Sequence, residues 1–349
     1  LQVVQSYRRG SLETLVKRSL VFVDSEGLHE VICIATPRIQ QVVLEELSDE
    51  QRAGLHRKAA QGLLERNPRR IGSIAKTVAM HFLACDSVKE AIPLLEQAAF
   101  RAARRKETRE VLELTDLALE NESGIPRELL QELSANLGTL RALRGRALFA
   151  IDELEAAIVL LQQSLEKGVL PAESPLRVGA TVDLAASQMK MGEFAQTHQL
   201  LDPLLGAIEP GSPERLRAMK TLAQCLRLQG EFESSMALWG QGLQLARDIR
   251  SREQEAGFLL GLAKVRLATD DISEARQHLG EVDSLLRGLS SRDRAESMLQ
   301  GARLDYNKGL YRQALARAEE GGAIAQESDS MELSALSLTI CADCLEMVG

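Results

Sequence analysis

The feature that most constrains this chain is a period. A small or turn-forming residue, a bulky residue two places later and a small residue about five places later recur along the C-terminal two thirds. The copies are Gly192-Glu193-Phe194 with Thr197, Gly230-Glu231-Phe232 with Ser235, Asp270-Asp271-Ile272 with Ala275, and Gly309-Leu310-Tyr311 with Ala314. Asp152, with Leu154 and Ala157, is an earlier copy, and Gly349 falls where the next is due. Successive turn positions are 40, 38, 40, 39 and 40 residues apart. Upstream of each turn lies an apolar stretch of helical spacing, such as Leu216-Met219-Leu222-Ala223-Leu226. A small residue (Gly145, Ala185, Ala223, Ala263, Ala302, Ala342) stands seven places before each turn, where a neighbouring helix must come close. A second amphipathic stretch, such as Met236-Trp239-Leu243-Leu245, follows the turn. One helix pair cannot bury both its faces, so stacked pairs supply the core.

Composition agrees. The 349 residues are 45% hydrophobic but only 3% aromatic, with Leu and Ala throughout, which favours helices packed on helices. No apolar run approaches the roughly 20 residues that span a bilayer, and no secretory pattern opens the chain. The five cysteines make no disulfide framework, which suits a reducing cytoplasm. The chain starts at Leu1, and the expectation is a piece of something longer.

The small residue, the turn Gly, the aromatic two places on and the later Ala together resemble tetratricopeptide (TPR) repeats. HEAT and armadillo repeats have comparable periods, but the Gly-x-aromatic turn fits TPR better. The period is nearer 39–40 than the usual 34, and Thr197 and Ser235 replace the usual Ala. The expected fold is all-α, a TPR-like right-handed superhelix. Residues 71–125 are read as degenerate repeats and 126–349 as regular ones, the last truncated. In the degenerate part, Phe82, Ala91, Leu95 and Ala98 match one repeat, and Val111 and Ala118 part of another only 20 residues on. That half-spacing suggests one long helix shared between two repeats, opened by a capping box at Ser87-Val88-Lys89-Glu90. Ser123 to Pro126 is the clearest break, and Pro171–Pro175 and Pro203–Pro213 read as longer loops.

Residues 1–70 read differently. Ser11–Arg18 is helix-like, Leu20–Val23 and Leu28–Ile34 are strands about a turn at Asp24-Ser25-Glu26-Gly27, and Thr36-Pro37 starts a helix. Ser48-Asp49-Glu50-Gln51 is a capping box for a helix to Arg66. Helix, β-hairpin, helix is the back half of a winged-helix domain. With Thr36-Pro37-Arg38, Leu55-His56-Arg57-Lys58-Ala59-Ala60 and His81-Phe82-Leu83, this stretch resembles the winged-helix-to-repeat junction of STAND-class (AAA-type ATPase) signalling proteins. A His usually stands where Thr36 does. The resemblance implies a sensor or docking arm of a larger signalling ATPase, kinase or transcription regulator. It puts the ATPase upstream of Leu1. Arg8, Arg9, Lys17 and Arg18 form a basic cluster, which leaves a DNA-binding regulator as an alternative. A structural spacer between ATPase and effector is another.

Catalytic motifs are missing. There is no GxxxxGK[ST], HExxH or GxSxG, and Gly240-Gln241-Gly242 has Leu245 where a third glycine belongs. His56, His81, His198 and His278 are scattered over different repeats, and Cys341-Ala-Asp-Cys344 lacks a second ligand pair. Neither enzyme activity nor a metal or cofactor is expected.

Binding is expected on the first helix of each pair, which lines the concave surface of TPR arrays. The positions carried over are Arg146, then Met189 and Lys190, then Arg217, Lys220, Gln224 and Arg227, then Lys264, and finally Arg303, Tyr306 and Asn307. Arg217, Lys220, Gln224 and Arg227 step by three, four and three along one helix face. They make a basic stripe in an array where residues 111–349 carry 24 basic against 36 acidic side chains; residues 1–110 carry 18 against 14. The acidic balance argues against nucleic acid as partner. A protein, an acidic peptide or a small anionic effector suits the stripe. The other reading is a solvated face, or pairing with acids of the neighbouring repeat. A final helix from about Glu332 to Met347 would leave Leu333, Leu336, Leu338 and Ile340 uncovered, which points to self-association or a longer chain.

Overall fold

The computed structural model describes residues 9–26, 29–68, 70–166, 169–171, 174–285, 290–328 and 330–348. Arg8, Gly27, Leu28 and Gly349 therefore lie outside the described residues. The chain divides into two compact units, residues 1–180 and 181–349.

The first unit opens with α1 (Arg9–Lys17), the antiparallel strands β1 (Val21–Glu26) and β2 (His29–Ile34), and α2 (Pro37–Glu46). Strand pairing runs from Val21 opposite Ile34 to Glu26 opposite His29, so the strands extend into the stretch read as a turn. Next comes α3 (Asp49–Arg66), whose capping box forms in full: Ser48 Oγ accepts from the Gln51 amide and the Gln51 side chain accepts from the Ser48 amide. Then come α4 (Ile71–Leu83), α5 (Val88–Arg104), α6 (Thr108–Glu120), α7 (Arg127–Glu132), α8 (Ser134–Ala150) and α9 (Leu154–Leu165). The helix α10 (Pro175–Lys190) carries the division between the units. The second unit continues with α11 (Phe194–Ala207), α12 (Pro213–Leu228), α13 (Phe232–Asp248), α14 (Arg252–Ala268), α15 (Ile272–Leu285), α16 (Ser291–Asn307), α17 (Tyr311–Glu327) and α18 (Met331–Val348).

Every described turn of the repeat uses the same backbone device. Asp152, Gly192, Gly230, Asp270 and Gly309 all have positive φ, between 59° and 82°. The following amide then reaches back to the carbonyl five residues earlier: Glu153 to Leu148, Glu193 to Gln188, Glu231 to Leu226, Asp271 to Arg266 and Leu310 to Asp305, at 2.8–3.0 Å. That is a Schellman ending, which satisfies an orphan carbonyl and reverses the chain into the second helix. Asp86 and Lys106 do the same at φ 54° and 62°, so α5, like α13 between Gly230 and Arg250, lies between two such turns. At 17 residues it matches α8, α13 and α14 in length. The expected capping box at its start does not form; Ser87 makes no side-chain cap bond, and its hydroxyl accepts instead from Arg57.

Within a pair, small residues bring the helices together. Ala185, Ala223, Ala263 and Ala302 are fully buried, and a Cβ on Gly145 would fall 2.6 Å from Leu161 Cγ. Opposite them, Ala157, Thr197, Ser235, Ala275 and Ala314 are equally buried. The two departures from Ala have a use. Thr197 Oγ1 donates to the Ala185 carbonyl at 3.3 Å, and Ser235 Oγ donates to the Ala223 carbonyl at 2.7 Å. Each hydroxyl thus bonds across the pair to the small residue it packs against, and no polar atom is left bare. Gly242 also finds its reason here: a Cβ there would sit 2.0 Å from the ring of Phe258, the largest fully buried side chain, which stacks edge-on against Trp239.

Three further expectations fail. Pro203 lies inside α11 rather than in a loop, because buried Leu201 and its apolar neighbours outweigh the local cost of a missing donor. Leu333 and Ile340 are buried on the α17 side of α18 and Leu336 is half-buried; of the four only Leu338 is exposed, on a side shared with Met331 and Leu345. Ala342, unlike the other small residues, is exposed.

The turn and the helix interior should respond oppositely to one substitution. Gly230→Ala forces an L residue into the left-handed region and should cost about 1–2 kcal/mol. Gly240→Ala adds a Cβ into open space inside α13 and should stabilise by about 0.5–1 kcal/mol. Urea denaturation of the two variants reads both signs.

Candidate functional site: the inner face of the second unit

First helices α12, α14, α16 and α18 lie side by side. Lys190, near the end of α10, reaches Glu332 at the start of α18, Nζ to Oε2 at 3.8 Å. Glu332 also takes Arg292 at 3.2 Å.

The predicted stripe is present on this face but is not uniformly free. Arg217 forms an ion pair with Asp183, a carboxylate only 2% exposed. Lys264 pairs with Glu296 of the next first helix. Burial alone would raise the Glu296 carboxyl, but Lys264, with Arg292 and Lys220 beyond it, outweighs burial and holds it below the usual carboxylate range. Arg217 and Lys264 therefore follow the pairing alternative; Lys190 is paired too, but with an acid far along the chain rather than of the neighbouring repeat. Sequence reasoning missed their acids, although Glu296 stands 13 places before Gly309, the register Arg217 holds before Gly230. Arg146 lies on α8 in the first unit, where it is exposed, and Met189 is half-buried.

What remains is a smaller set. Lys220, Arg227 and Arg303 have no carboxylate within ion-pair distance among the described residues. Lys220 lies with its ammonium 4.9 Å from the Phe258 ring centroid, over Gly257, where a Cβ would come 2.3 Å from Nζ. Burial lowers its pKa, opposed by Asp293, Glu296 and Glu253 nearby. Arg227 Nε donates to Gln224 Oε1 at 3.2 Å. Burial and then the Arg303 charge lower the Arg227 pKa. Tyr306 packs edge-on against Tyr311 at 5.3 Å, and Asn307 is exposed beside it.

Among the described residues no cluster of His, Cys, Asp and Glu could hold a metal ion. Cys341 and Cys344 both lie on α18, and burial raises both thiols, away from reactive thiolate. Among the described residues no helix is long and apolar enough to cross a membrane. One grouping was not visible in the sequence: His56 of α3 and His81 of α4 meet, Nδ1 to Nδ1 at 2.9 Å.

Two predictions follow from these pairs. Arg217→Met removes an ion-pair partner of the buried Asp183 carboxylate and should cost about 2 kcal/mol, of which adding Asp183→Asn recovers most, as read by chemical denaturation. Burial, then His56, lowers the pKa of His81 below the ordinary 6.5. Its neutral ring is the form the fold favours, so stability is present above pH 6.5 and falls as protons bind the unfolded chain more readily below it. Thermal unfolding between pH 7.5 and 5.5 should show that loss, reduced in His81→Gln.

A scan of family models gave no match, and a search of curated proteins gave none. A tetratricopeptide repeat protein from Parabacteroides merdae is similar in structure, with a TM-score of 0.52 at 13% identity, over 77% of this chain and 99% of its own. The apo form of the quorum sensor NprR from B. thuringiensis has the same TM-score, 0.52, and identity, 13%, over 88% of this chain and 92% of its own. A STAND protein with a tetratricopeptide repeat sensor, from Pyrococcus horikoshii, matches with a TM-score of 0.46 and 14% identity, over 93% of this chain and 48% of its own. With its own turns and helix pairs, the first two likenesses make this chain a TPR-like helical repeat.

Proposed function

We propose that this chain is a non-catalytic binding array whose second unit takes an acidic protein segment along Lys220, Gln224, Arg227 and Arg303. One observation carries the reading: Arg227 of α12 and Arg303 of α16 have no acid within ion-pair distance among the described residues, and the charge of Arg303 bears on Arg227. A carboxylate placed between them would relieve their repulsion and accept forked hydrogen bonds from both. Lys220 adds a desolvated cation on the same helix, while the Lys264–Glu296 pair bounds the site with a fixed carboxylate. That carboxylate would disfavour ligands with acids spaced too closely. The quorum sensor NprR, which has this fold, is in keeping with a sensing role.

The array would serve as the sensor or docking arm of a larger signalling protein, a placement that rests on the resemblance of residues 10–120 to STAND-class junctions. A second reading has its own observation. The β1–β2 hairpin between α1 and α2 suits a winged-helix remnant, with Lys17 and Arg18 exposed at the end of α1. It would make the chain a DNA-contacting regulator, and binding of a duplex that weakens steeply with salt would favour it.

Fluorescence anisotropy with labelled hexaglutamate tests the groove. The wild-type chain should bind, more weakly as salt rises, and Arg227→Glu/Arg303→Glu should lose at least tenfold in affinity. No binding by the wild type, or equal binding by the variant, overturns the proposal.

A further inference from the structure

The first unit holds a cleft of about 800 Å³, unrelated to the groove of the second. One strip of α5 forms most of it: Pro93, Glu96, Gln97, Phe100, Arg101, Arg104 and Arg105 follow the three-and-four spacing of a single helix face. Gly72, at the second position of α4, forms the opposite wall.

The arginines at the end of α5 have an ordinary explanation, since cations suit a helix C-terminus. If that were their whole role they would hydrogen-bond the last carbonyls. Among the described residues Arg101 and Arg104 make no hydrogen bond and no ion pair, and Arg105 comes no nearer than 3.9 Å to Glu107. The one acid in the cleft, Glu96, is engaged by the Asn136 side chain. Three guanidinium groups thus stand over a cleft with a single, already bonded carboxylate. Phe100 lies among them, 46% exposed although it is a large apolar ring inside a packed repeat. Opposite, Gly72 leaves the space open: a Cβ there would only touch Arg101 Nη1 at 3.7 Å and Gln97 Nε2 at 3.8 Å.

We propose that this cleft binds a small phosphomonoester whose body is an apolar ring. Arg101 and Arg104 fork onto the phosphoryl oxygens, Arg105 adds long-range attraction, and the ring lies on Phe100 and Pro93. The volume is in the range of small-molecule sites. A dianion matches the net charge of the lining better than a carboxylate does.

Isothermal titration calorimetry of the full chain with phenyl phosphate, inorganic phosphate, benzoate and phenol tests this. Phenyl phosphate should bind at least tenfold more tightly than each of the other three. Arg101→Gln/Arg104→Gln should weaken it at least tenfold. Gly72→Leu, which fills the cleft without altering charge, should do the same while its unfolding curve remains that of a folded chain. Arg227→Glu/Arg303→Glu should leave it unchanged, which separates this site from the groove. The proposal is overturned if phenyl phosphate does not bind, if either cleft variant binds it as the wild type does, or if benzoate binds equally well.

Discussion

The fold depends on how closely two helices approach within each pair. That approach has two requirements met by the same stretch of chain. A residue in the left-handed region must reverse direction within a few residues, and side chains seven places before and five places after must be small enough to let the backbones close. Where either requirement relaxes the pair changes character. Ser235 and Thr197 show how little room there is, since each adds one polar atom and each donates to the carbonyl of its facing Ala, Thr197 to the Glu193 carbonyl as well. Hydrophobic burial then fixes the stacking of one pair on the next, around residues such as Phe258, Leu259 and Leu299.

Because the constraint is backbone geometry at one residue, much of the architecture was legible. Gly192, Gly230 and Gly309 announce positive φ by their type, and Asp152 and Asp270 by register with them. Lys106 does not, since lysine carries no turn signal, and only its burial partners on α5 and α6 force it into the left-handed region. Pro203 misled for a related reason: local preference said loop, and the packing of α11 overruled it.

The face proposed for binding was legible in position but not in charge. Helical spacing puts Arg217, Lys220, Gln224 and Arg227 on one face, and they are there. Whether a cation is available depends on acids brought from helices 34 or 32 residues away in sequence, as Asp183 is to Arg217 and Glu296 to Lys264. Periodicity within a helix carries no record of what the next helix presents. The same limit hid the His56–His81 contact and the cleft beside Phe100, both made by neighbouring helices of the first unit.

The Lys190–Glu332 pair has a mechanical meaning. Repeats touch their neighbours and little else, which leaves such an array compliant along its length. This pair instead joins α10 to α18, 142 positions apart, and being exposed it contributes at most about 1 kcal/mol. It therefore acts as a weak clasp on a spring. Ionic strength alone loosens it, so this hold between the two ends of the second unit weakens as salt rises.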